Sequence, residues 1–139
     1  MVVTTAKQAA RRGFTLVELV IVVLVIGIIA AIAAPKMFDT AGNARTNSTQ
    51  QSLRTLRNAI ELYRANNGSY PAAASITTDL RTYLQGPFPA PQIGSRQNPT
   101  VASTTSDPIT AAAASGTEGW LYNATTGQIK VNDAAGITW

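Results

Sequence analysis

Residues 11–35 read RRGFTLVELVIVVLVIGIIAAIAAP, and from Phe14 to Ala34 only Thr15, Glu18 and Gly27 interrupt an aliphatic run. That run is about 21 residues, or roughly 32 Å as a helix. It matches the hydrocarbon core of a bilayer, which is about 30 Å thick. Its Val and Ile content suits a strand, but a strand this long would be far outside the usual range. In lipid a helix satisfies its own backbone polar groups, so the run is expected to be a membrane-spanning helix. Pro35 offers no amide and its ring crowds the carbonyl of Ala31, so Gly27 and Pro35 mark the expected places for a kink.

The flanks set the orientation. Lys7, Arg11 and Arg12 precede Phe14, and the first 13 residues, MVVTTAKQAARRG, contain no acid. They read as a leader held on the cytoplasmic side, with the rest of the chain outside. Beyond Gly13 there are 8 basic and 7 acidic residues, so the net charge of +4 is largely a property of the leader. That distribution signals topology and gives no reason to expect a nucleic-acid partner. The 139 residues allow one small domain besides the span. With no Cys there is no disulfide framework, and with no His the commonest general base and zinc ligand are missing.

After Pro35 the helical pattern continues. Leu53, Leu56, Ile60 and Tyr63 recur at helical spacing, forming the single apolar stripe of an amphipathic helix. Arg54, Arg57, Glu61 and Arg64 lie off that stripe and read as a solvated face. Asn66-Asn67-Gly68 is a C-cap signal, so one helix is expected from about Thr15 to Asn66. Ile76, Leu80, Tyr83 and Leu84 suggest a short helix with Ser75 or Thr77 at its start. Gly86–Pro91 suits neither a helix nor a central strand. Residues 92–117 read as a long surface loop. The runs Gly119–Asn123 and Gln128–Asn132 around Ala124-Thr125-Thr126-Gly127 form the clearest hairpin signal, and the stretch before Gly119 has room for a third short strand. Trp120 and Tyr122 should share one face, as should Ile129 and Val131.

Three readings of the N-terminal run compete. A secretory signal peptide would use Ala31-Ile32-Ala33 as its cleavage site, but the run exceeds a normal 7–15-residue apolar region. A carboxylate inside it is also disfavoured. A plain signal anchor fits the length and leaves Gly13-Phe14 and Glu18 unexplained. Arg12-Gly13-Phe14-Thr15-Leu16-Val17-Glu18, the unbroken run behind it and Pro35 resemble the N-terminal signature of type IV pilins and type II secretion pseudopilins. Leu62–Pro71 is similar to the helix exit of G-type pseudopilins, and the hairpin to their final one.

The resemblance implies an α+β fold, with a long N-terminal helix packed in its second half against a small C-terminal antiparallel sheet. It divides the chain into a leader (1–13), a transmembrane and assembly half-helix (14–35) and a periplasmic domain (36–139) whose helix runs over 36–67. It implies cleavage by a prepilin peptidase between Gly13 and Phe14, with N-methylation of Phe14. It makes Phe14, Thr15 and Glu18 the candidate assembly residues. The implied partners are further copies of the chain in a helical homopolymer, other pseudopilins, the peptidase and methyltransferase, an inner-membrane assembly platform and the membrane itself. The implied role is a structural subunit of a secretion pseudopilus, against a surface pilin for adhesion, motility or DNA uptake as the alternative. From another class stands a signal-anchored small enzyme, which the missing His and Cys disfavour. No cofactor is expected. G-type pseudopilins usually carry an acid-rich calcium loop, but Asp107, Glu118 and Asp133 are scattered in sequence, and calcium wants six or more oxygens together.

Overall fold

The computed structural model describes residues 13–110 and 113–139. The expected leader therefore lies outside the described residues, apart from Gly13. The helix α1 covers Leu16–Asn67, α2 covers Ile76–Asp79 with a 3-10 turn at Leu80–Thr82, and three strands follow: β1 at Val101–Ser103, β2 at Trp120–Tyr122 and β3 at Ile129–Val131. Two compact units divide within α1, between Thr40 and Ala41.

In the first unit α1 is apolar on every side, and its apolar window is unburied among the described residues. An 18-residue window there has a mean hydropathy of 3.1, with none of it buried. Pro35 lies inside the helical segment.

In the second unit α1 becomes one-sided. Leu53, Leu56, Ala59 and Ile60 are buried against Ile76, Leu80, Trp120, Tyr122, Ile129 and Val131. Tyr63 packs partly buried at the margin of this core. The helix stops where Gly68 takes a φ of 77°, a left-handed conformation that glycine adopts without a Cβ penalty, and its amide donates to the Arg64 carbonyl at 2.8 Å. Ser75 stands before α2 as expected but does not cap it. Its hydroxyl donates instead to the Asp79 carboxylate at 2.6 Å.

β2 is the middle strand, antiparallel to β3 with Trp120 opposite Val131 and Tyr122 opposite Ile129. The period of two then sorts the side chains. Trp120 and Tyr122 face α1, while Leu121 packs on the other side with Ile109 and Ile137. The polar tips of the two aromatics hold down connecting segments. The Trp120 indole donates to Pro89 O at 2.8 Å and the Tyr122 hydroxyl to Pro71 O at 3.0 Å. Burial pushes the Tyr122 phenol well above its ordinary pKa, with Tyr70, Tyr63 and Glu61 adding to the shift.

The expected antiparallel hairpin is present, and the sheet as a whole is mixed, because β1 joins β2 in parallel with Val101 opposite Trp120. A parallel pair needs a crossover of a dozen or more residues, which residues 104–119 supply. Residues 92–117 are thus more than a surface loop: they contain β1 and the buried Ile109.

The core of the second unit lies wholly within residues 41–139, so that segment alone should fold. Leu56→Ala in it removes a fully buried side chain and should lower its unfolding free energy by about 2–5 kcal/mol. Chemical denaturation followed by Trp120 fluorescence measures this, and an unchanged midpoint would mean that the assigned helix face is wrong.

Candidate assembly helix

The start of α1 is built by its own sequence. Thr15 takes the N-cap position: its hydroxyl accepts a bond from the Glu18 amide at 3.2 Å and donates to the Glu18 carboxylate at 3.5 Å. The pattern is Thr-x-x-Glu, which satisfies amides that the first turn would otherwise leave unpaired. This spacing was present in the sequence as a capping signal separate from any assembly role. A carboxylate in the first turn also lies favourably against the helix dipole.

The assembly residues lie close together and in the open. Phe14 is 77% exposed and precedes the helix, and Leu16 and Val17 are likewise exposed. Glu18 is exposed, with Thr15 as its partner and no cation among the described residues at ion-pair distance. Gly13 is exposed and outside the helix. A Cβ built on Gly27 would meet nothing within 4 Å, so no contact inside the chain requires glycine there. Phe14, Leu16, Val17, every aliphatic position from Leu19 to Ile29, and Ile32 present apolar surface outward. Such a surface has a stable place only in lipid or against other helices.

The other charged candidates serve the fold. Arg57, expected on a solvated face, is half-buried and donates to Ile129 O at 3.3 Å and Trp139 O at 2.8 Å; burial lowers its pKa. Its long side chain reaches back from beside the apolar stripe, which helical phase alone does not reveal. Arg64 stays exposed, 4.6 Å over the Tyr70 ring. The three scattered acids sit apart. Asp107 accepts from Gln128, Glu118 from the Thr117 amide and Asp133 from the Ala135 amide. Among the described residues no three metal-ligating side chains come together. A hollow of about 330 Å³ beside Arg57 is lined by Glu61, Thr126 and Lys130.

Residues 8–34 match the prokaryotic N-terminal methylation motif, and residues 36–109 match the type II secretion system protein G family. The second match alone spans more than half of the chain. The chain belongs to the type II secretion system protein G family. It is 29% identical over 86 residues to the type II secretion system core protein G of Pseudomonas aeruginosa, covering 62% of this chain and 58% of that one. With the core protein G of Escherichia coli it shares 33% over 67 residues, 48% of this chain and 44% of that one. With a fimbrial protein of Neisseria meningitidis it shares 32% over 81 residues, 54% of this chain and 48% of that one. The chain thus spans about half the length of these curated relatives. No solved structure matches it significantly.

The capping geometry makes a local prediction for this family member. Thr15→Ala removes the hydroxyl that accepts from the Glu18 amide and should loosen the first turn by about 1 kcal/mol. Amide exchange at Glu18 in detergent micelles should quicken several-fold, while exchange near Leu56 stays unchanged. Equal exchange at Glu18 would remove the N-cap role.

Proposed function

We propose that the chain is a structural subunit that polymerises through its Phe14–Ala34 helices into a type II secretion pseudopilus. The observation that carries this reading is an apolar helix left unburied among the described residues, with one carboxylate in its first turn. Family membership and the methylation motif over residues 8–34 support it.

Before assembly the helix rests in the inner membrane, with its basic leader in the cytoplasm and residues 36–139 in the periplasm. Prepilin peptidase cleaves between Gly13 and Phe14, and the new Phe14 amine is methylated. The amine is a cation four residues before Glu18. Within one subunit it competes with Thr15 for the carboxylate. In the fibre the amine of one subunit meets Glu18 of the next, where the surrounding helices exclude water. A buried charge without a partner is strongly unfavourable, so one axial offset between subunits satisfies both groups and others do not. Gly27 lets neighbouring backbones approach closely, and Pro35 loosens the helix beyond the membrane-spanning half. The fibre's further partners in this reading are other pseudopilins and the inner-membrane assembly platform.

The likeness to a fimbrial protein supports a second reading, a surface pilus. Deleting the gene separates the two: loss of secreted enzymes with surface adhesion intact favours the pseudopilus, and the reverse favours the pilus.

Glu18→Gln tests the pairing. It removes the charge and keeps the shape. Membrane level and leader cleavage should stay near wild type, because a charge has left an apolar segment. The yield of sheared fibres should fall about tenfold or more, because the amine of the neighbouring Phe14 stays buried without a counter-charge. Equal yields at matched membrane abundance would mean that Glu18 has no pairing role.

A further inference from the structure

The helix carries a second cation–anion pair with nearly the spacing and the same order as the first. Lys36 and Asp39 lie just beyond the apolar run, both exposed. Among the described residues neither has an ion-pair partner. They do not suit each other within one helix, because the favourable order places the acid before the base. The Lys36 backbone carbonyl accepts from the Thr40 hydroxyl at 2.8 Å.

We infer that Lys36 of one subunit pairs with Asp39 of the adjacent subunit, forming a second register contact at the membrane-proximal end of the fibre's apolar core. The inference rests on the polymer reading above. If the Phe14 amine of one subunit lies level with Glu18 of the next, the two helices are offset by four residues, about 6 Å. The same offset brings Lys36 level with Thr40 of that neighbour, about 1.5 Å along the axis from Asp39. A lysine side chain spans that difference easily. All four groups lie within one sector of about 60° on the helix surface. At 3.6 residues per turn Lys36 lies about 40° around the helix from Phe14, and Asp39 about 60° from Glu18. The two contacts bracket the apolar run, one at each end, and so resist both axial slip and splaying of the helices.

Charge reversal tests this. At matched membrane abundance and leader cleavage, Asp39→Lys and Lys36→Asp should each reduce sheared-fibre yield roughly tenfold, since an attraction repeated along the polymer becomes a repulsion. The double variant Lys36→Asp with Asp39→Lys should return the yield to within about threefold of wild type, because the swapped charges meet again at the same offset. Single reversals that assemble normally overturn the inference. So does a double variant no better than the singles, which would indicate that Lys36 serves lipid phosphates or that Asp39 has another partner. Glu18→Gln distinguishes the two levels. If it abolishes fibres while every Lys36 and Asp39 variant assembles, the polymer reading stands and this contact is overturned; if wild type forms no fibre, both fall.

Discussion

A carboxylate in the first turn of an apolar helix constrains everything around it. In the isolated subunit Glu18 is served by the Thr15 hydroxyl and by the positive end of the helix dipole, at a place where it can still meet water. In the proposed fibre, neighbouring helices cover the aliphatic surface from Leu16 to Ile32 and that water is gone. The carboxylate then needs a cation, and the chain has no basic residue from Gly13 to Pro35 to supply one. In the proposed assembly a new amine at Phe14 on an adjacent helix fills the need. Specificity of assembly arises in this way from a cost: the apolar surface favours contact at any offset, and the charge excludes nearly all of them.

The second unit shows the opposite economy of contacts, since its core is closed within itself. Leu53, Leu56 and Ile60 meet Trp120, Tyr122, Ile129 and Val131 with almost no exposure. Its buried polar side chains are likewise mostly satisfied internally, the Thr126 hydroxyl excepted. Asn132, fully buried, donates to Ser115 O and Glu118 O and accepts from the Ser115 amide, while Arg96 bonds its carbonyl. Thr49 on α1 accepts from the Gln92 amide at 2.9 Å and so ties the proline-rich segment to the helix. A domain with its own core needs no contribution from the apolar half of α1.

What could be read from the sequence follows the physics of each element. The two halves of α1 were legible because one is apolar all round and the other repeats Leu53, Leu56, Ile60 at helical spacing. The hairpin was legible because Trp120, Tyr122, Ile129 and Val131 alternate about a turn. Gly13, Phe14 and Glu18 stood out because a basic leader, a small residue and an acid at the head of an apolar run are individually unfavourable and together coherent. β1 was not legible: three residues carry no period, and a parallel pairing across residues 104–119 leaves no local trace. Gly119 gave no sign either that a Cβ there would collide with the Asn98 carbonyl oxygen. Arg57 misled because its Cα faces solvent phase while its guanidinium turns back to the main chain of Ile129 and Trp139. The Thr-x-x-Glu spacing of Thr15 and Glu18 is a capping signal in the sequence, and the geometry adds that the Thr15 hydroxyl accepts from the Glu18 amide.

The central claim is that the Phe14 amine of one subunit neutralises Glu18 of the next. Fibres grown from an equal mixture of ¹⁵N-labelled and ¹³C-labelled subunits test it by solid-state NMR, because any nitrogen-to-carbon transfer must then cross between subunits. The account predicts transfer from the Phe14 amine nitrogen to an ionised Glu18 carboxylate carbon at ion-pair distance. Absence of that transfer in well-ordered fibres, with Glu18 protonated or bonded only to its own Thr15, would contradict it.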